Sequence, residues 1–198
     1  MVIDWAVAER PMPGHQVSGD VHVVEPFRDG VLVAVIDALG HGDDAAATSR
    51  LAAATVRAHA DREIPTVIRI CHEQLRAARG VVMSAASIDA RNHTVTWGGV
   101  GNVEGFLVRS DASGSLVRDA LVLRNGVIGF QIPEVRPTVR PIAPGHVLIL
   151  ATDGIAAGFL DRYEPGTPQQ IADAILARYG KPTDDALVLV AAYTGPPA

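Results

Sequence analysis

A chain of 198 residues with 48% apolar and 20% charged residues has the composition of one globular domain, which excludes a disordered or collagen-like chain. Seventeen Lys and Arg against 22 Asp and Glu give a net charge of −5, so no basic footprint exists for a nucleic-acid backbone or an anionic membrane. The single cysteine, Cys71, excludes an internal disulfide and a cysteine-based zinc site. No apolar run approaches the roughly 20 residues of a membrane span, and Asp4 and Glu9 break any signal-peptide pattern, so a cytoplasmic protein is expected.

Strands are expected at residues 3–8, 20–27 and 31–36, where β-branched residues are dense. Arg28-Asp29-Gly30 divides the last two as a hairpin, because Asp-Gly tolerates the positive φ angles such turns need. A helix follows, with Asp43 and Asp44 capping its N-terminus and an Ala-rich body reaching Ala60. A second helix begins at Pro65 and carries Val67, Ile70, Cys71, Leu75 and Ala78 on one face. Further strands are expected at 81–88, 94–100, 105–109, 121–123, 136–142 and 147–152, with turns at Asn92 and Asn125-Gly126. A short helix at 168–179 and a strand at 186–193 complete the domain, residues 1–194, and a frayed tail occupies 195–198. Strands in blocks around two consecutive helices argue against alternating βαβ units. They predict an α+β sandwich of mainly antiparallel sheets with helices on the outer faces.

Two core-strand patterns end alike. Residues 31–36 run into Asp37-Ala38-Leu39-Gly40, and residues 147–152 run into Asp153-Gly154. Asp184-Asp185 precedes the last strand, and Gly19-Asp20 opens the second. Taken singly, such residues are turns and caps. Together they place four carboxylates at strand ends, where they would repel one another unless a cation sat among them. Hard divalent ions such as Mg²⁺ or Mn²⁺ suit oxygen donors, and the seven histidines show no zinc spacing.

In order, Ser18-Gly19-Asp20, residues 35–42, residues 151–154 and Asp184-Asp185-Ala186 resemble the acidic motifs of the metal-dependent protein phosphatases, the PPM superfamily. The likeness is to the SpoIIE-type branch and, within it, to small stand-alone phosphatases of the RsbX kind. Gly98-Gly99-Val100-Gly101-Asn102 and Pro144-Gly145-His146 resemble further stretches of that branch, with His146 in place of its usual Asp. The resemblance covers roughly residues 3 to 193 and implies a four-layer αββα sandwich. It implies two Mn²⁺ or Mg²⁺ ions bridged by Asp37, with the Ala38 carbonyl and Asp20 supporting the first and Asp153 and Asp184 holding the second. Ala38 departs from the Gly usual there, and its Cβ would penalise a positive φ. The implied activity is hydrolysis of phosphoserine or phosphothreonine by a metal-activated water, with Asp37 and Asp153 catalytic through the ions. The implied substrate is a STAS-type component of a stressosome or an anti-sigma-factor antagonist. A bare catalytic domain without lid or sensor is expected.

His41 is a candidate general acid, against the alternative of a space-filling loop histidine. Arg10 and Arg28 are candidate phosphate contacts, and Cys71 reads as a small core hydrophobe. Glu104 breaks the GxGxxG pattern begun by Gly99-Val-Gly101, and Leu39 occupies the position where a haloacid-dehalogenase phosphatase needs its second Asp. A non-catalytic binding module with the same fold remains the rival reading, and Ala38 is the feature that favours it.

Overall fold

The computed structural model describes residues 1–111 and 113–196. Two five-stranded antiparallel sheets pack face to face. The first has the order β1 (Ile3–Arg10), β10 (Ala186–Tyr193), β9 (Val147–Ala151), β6 (Glu104–Ser110), β7 (Leu116–Ala120). The second has the order β2 (Asp20–Phe27), β3 (Gly30–Ala38), β4 (Val81–Asp89), β5 (Thr94–Val100), β8 (Thr138–Pro141). Helices α1 (Asp43–Ala58) and α2 (Ile64–Gln74) cover the outer face of the second sheet, and α3 (Pro168–Tyr179) covers the first. This is the expected αββα sandwich.

Burial explains why the central strands read as unbroken apolar runs. Along β3, Val31, Val33 and Val35 face the other sheet while Leu32, Ala34 and Ile36 face α1 and α2. Along β10, Leu187 and Leu189 face between the sheets while Val188 and Val190 face α3. Period-2 alternation therefore sends both residue sets into core, and each fully buried Val or Leu contributes about 1.5–3 kcal/mol.

Several local expectations are corrected. The hairpin between β2 and β3 pairs Phe27 with Gly30, so its loop is Arg28-Asp29. Gly30 has no positive φ; it is glycine because a Cβ would overlap the Ile88 carbonyl. Asp43 and Asp44 stand in the first turn of α1, but Gly42 is its N-cap and no side chain caps it; Asp44 instead pairs with Arg79 at 2.8 Å. The helix ends at Ala58, two residues early. Ile70 is only half-buried, and Ile68 takes the fully buried place.

No strand forms at residues 121–123. On its outer side β6 pairs instead with β7, whose half-exposed edge sequence carries little apolar signal. Leu121 drops into the space between the sheets while Val122 is exposed. The strand expected at 136–142 shrinks to β8, and the tight turn after Asn125-Gly126 falls at Gly129-Phe130, closed by a Val127–Gln131 bridge. Of the expected tail, residues 197–198 lie outside the described residues; Gly195 and Pro196 follow Thr194, whose amide is tied to the Val2 carbonyl.

Candidate metal centre and active site

The strand rows that face between the sheets end in acids at one rim of the sandwich. Asp37 continues the Val31-Val33-Val35 row, and Asp20 is its direct partner across the β2–β3 ladder. Thr152 continues the Leu148-Leu150 row of β9, with Asp153 next in the chain. Asp184 and Asp185 arrive just before β10. Strand periodicity alone thus gathers these groups at one end of the layer.

An open cavity of about 510 Å³ lies there, lined by Asp37, Ala38, His41, Asn102, Asp153 and Asp184. Asp20 stands behind Asp37, only 7% exposed. Thr152 donates its hydroxyl to Asp20 Oδ2 at 2.8 Å and accepts the Leu187 amide at 2.9 Å, so its single proton is directed at the carboxylate. Asn102 Nδ2 donates to Asp153 Oδ2 at 2.7 Å. The Asp153 carbonyl accepts from Lys181 Nζ at 2.6 Å.

Asp184 and Asp185 divide their roles. Asp184 faces the cavity, half-buried. Asp185 is 4% exposed and turns inward, accepting the Met12 amide on Oδ1 and the Gly19 amide on Oδ2, each at 2.7 Å. Gly154 must be glycine because a Cβ there would overlap the Asp185 carbonyl.

The carboxylates raise one another's proton affinity. Burial, then the charge of Asp37, pushes Asp20 up to about 9. Burial, then Asp153, Asp184 and Asp185, pushes Asp37 up to about 7. Asp184 is also raised, chiefly by burial. Among the described residues, none of these acids forms a side-chain ion pair with Lys or Arg. Nor do three His, Cys, Asp or Glu side chains close tightly enough to clasp an ion as they stand. The donor set is nevertheless all oxygen, negative and destabilised by mutual repulsion, which fits a hard divalent cation better than zinc or copper.

Ala38 is no obstacle. Among the described residues the only non-glycine with positive φ is His93, so Ala38 keeps ordinary extended geometry at the end of β3 while its amide donates to the Gly19 carbonyl at 3.2 Å.

Other candidates fall differently. His41 is exposed at the cavity and packs edge-on against His15, ring centroids 4.7 Å apart. Arg10 donates to the Lys181 carbonyl at 2.6 Å and does not line the cavity, and Arg28 borders a different cavity with Met1 and Pro196. His146 opens β9 elsewhere, half-buried, its pKa lowered by burial. Thr152, Asn102, Lys181 and the inward role of Asp185 were not singled out from sequence. Thr152, Asp185 and Asn102 do lie inside the motifs at 151–154, 184–186 and 98–102, whereas Lys181 lies in none.

The comparisons agree with this architecture. The family model of Stage II sporulation protein E (SpoIIE) matches residues 28–194. A structure from work on the bacterial stressosome aligns with TM-score 0.85 and 25% identity, covering 96% of this chain and 98% of its own. RsbX in complex with magnesium aligns with TM-score 0.83 and 21% identity, covering 97% and 96%. The PP2C phosphatase domain of SpoIIE from Bacillus subtilis, with a fragment of its regulatory domain, aligns with TM-score 0.78 and 19% identity, covering 99% of this chain and 64% of that one. Comparison with curated protein sequences finds no match. No helix among the described residues is long and apolar enough to cross a membrane. With four carboxylates at one rim of an αββα sandwich that shares the fold of a PP2C phosphatase domain, and a family match over most of its length, the chain belongs to the SpoIIE family.

Proposed function

We propose that this chain is a cytoplasmic, divalent-metal-dependent protein phosphatase that removes phosphate from serine or threonine of a regulatory protein. The substrate class we assign is a STAS-type stressosome component or anti-sigma-factor antagonist. The observation that carries the reading is the grouping of Asp37, Asp153 and Asp184 on one cavity with Asp20 directly behind. The names of the structural relatives, one drawn from stressosome work and one solved with magnesium, support the partner class and the metal.

Asp37 would bridge two ions, Asp20 and the Ala38 carbonyl would serve the first, and Asp153 and Asp184 would hold the second. When bound, Mn²⁺ or Mg²⁺ supplies a nucleophilic water at neutral pH and offsets charge on the phosphoryl oxygens. The chain's own residues prepare that centre. Thr152 orients Asp20, and Asn102 fixes one oxygen of Asp153 so that the other is free to face the cavity. His41, exposed at the cavity and packed edge-on against His15, is assigned the proton for the departing serine oxygen.

Phosphate release from a phosphoserine peptide, measured with Mn²⁺, with Mg²⁺ and after chelation, tests the reading. Activity that requires the metal and disappears in Asp37→Asn and Asp153→Asn supports it. Retained activity in either variant overturns the site assignment, and no metal-dependent release from any phosphopeptide restores the binding-module alternative.

A further inference from the structure

Asp185 touches neither the cavity nor a cation-facing position, yet it is the most completely enclosed of the acids at this rim, 4% exposed. A buried carboxylate without partners is strongly disfavoured. Here both oxygens are used, one by the Met12 amide and one by the Gly19 amide, across sequence separations of 173 and 166 residues. Hydrogen bonds of 2.7 Å to a charged acceptor belong to the stronger class.

What those amides carry matters more than their number. Met12 lines the cavity, and His15 of the same segment packs on His41. Gly19 precedes Asp20, and its carbonyl accepts the Ala38 amide, so one residue is tied to Asp185 through its amide and to the end of β3 through its carbonyl. Space is tight around it: a Cβ on Gly19 would come within 3.2 Å of the Ala45 Cβ and 3.3 Å of Asp185 Oδ2. On its opposite side, the Asp185 backbone packs against Gly154, next to Asp153.

We propose that Asp185 is a positioning residue for the metal centre: it locks the segment 11–19 against the rim and through Gly19 sets where Asp20 and the Asp37-Ala38 strand end stand. It does so by hydrogen bonding to backbone, so a neutral side chain of the same shape replaces only part of it. Asparagine keeps one acceptor oxygen but turns an NH₂ group toward the other amide; alanine keeps none. This inference rests on the metal-phosphatase reading.

The test uses the full chain with Mn²⁺ alone as the probe. Hydrogen exchange is followed over residues 11–20 in metal-free protein, and Mn²⁺ binding is measured by calorimetry, for the native chain, Asp185→Asn and Asp185→Ala. Val67→Ala, a core change under α2, serves as a comparison of lowered stability away from the rim. Exchange at Met12 and Gly19 should quicken in Asp185→Asn, and Mn²⁺ affinity should fall about 10- to 100-fold, as for other residues that orient metal ligands. Asp185→Ala should be worse, and Val67→Ala should lower the melting temperature without changing Mn²⁺ affinity. If Asp185→Ala does not fold, Asp185→Asn decides. Mn²⁺ affinity in Asp185→Asn within twofold of native overturns this inference alone, whereas a native chain that takes up no Mn²⁺ overturns the metal-phosphatase reading along with it.

Discussion

Thr152 Oγ1 donates to Asp20 Oδ2 across 2.8 Å, joining β9 to β2 over 132 residues of sequence. The same oxygen accepts the Leu187 amide from β10, so one hydroxyl couples both sheets at the acidic rim. Removing it orphans a buried acceptor and a buried donor together. Thr152→Val should therefore cost about 1–3 kcal/mol in urea unfolding and weaken Mn²⁺-supported activity. Thr152→Ser, which keeps the hydroxyl, should recover most of both. Equal unfolding midpoints for the Val and Ser variants would show that the bond contributes nothing.

The metal-free protein should lose stability as pH rises. Asp37 and Asp20 hold protons in the folded state up to about 7 and about 9, whereas carboxylates in the unfolded chain release theirs near 4. Between those limits the folded state binds more protons than the unfolded state, so raising the pH favours unfolding. The stability is fully present below about pH 4 for these two groups and lost through their folded-state values. Asp89, Asp111 and Glu134 are shifted the other way and have finished titrating below that window. His22 and His146, lowered by burial from 6.5, oppose the trend only up to about that pH. The melting temperature of chelator-treated protein should be lower at about pH 8.5 than at about pH 5.5. Asp37→Asn should flatten the slope around neutrality, and saturating Mn²⁺ should remove most of it. A metal-free melting temperature that climbs across this range contradicts the assignment.

Asn102 is exposed, so Asn102→Ala should change stability by no more than about 0.5 kcal/mol. Its amide nonetheless fixes Asp153 Oδ2 at 2.7 Å. Loss of that restraint should lower kcat for a phosphopeptide by about tenfold or more, with the unfolding midpoint unmoved. Activity equal to native in Asn102→Ala would show that Asp153 needs no such support.

Burial pushes the Cys71 thiol up to about 12, and the side chain is sealed under α2 among residues of the second sheet and α1. Thiol reagents at neutral pH should leave the native chain unlabelled, and Cys71→Ala should retain phosphatase activity. Inactivation by iodoacetamide at a rate matching Cys71 labelling would point to thiol chemistry and against the metal reading.

The gross architecture was legible because β3, β9 and β10 are buried on both faces and so appear as nearly unbroken apolar runs. Helix α3 was legible from its ends: Thr167 and Gln170 form a reciprocal cap, and Pro168 suits the first turn. Edge strands were not. β7 and β8 are largely exposed, and their placement depends on which neighbour pairs with them rather than on apolar pattern.

By itself the sequence determined that acids stand at the ends of core strands, because strand periodicity and the apolar runs ending in Asp37-Ala38 and Asp153-Gly154 are local properties. It also determined that no cysteine pair competes for a metal and that the histidines follow no zinc-type spacing. The resemblance already pointed to Asp184, but only the tertiary structure supplied the physical reason why it, and not Asp185, faces the cavity. Asp184 and Asp185 are indistinguishable as letters. They separate because two amides from the 11–19 segment, more than 160 residues away, are there to receive Asp185 and none of that segment's amides is bonded to Asp184. The Thr152–Asp20 bond has the same origin: partners so distant in sequence meet only when two sheets stack, and stacking is set by the whole core.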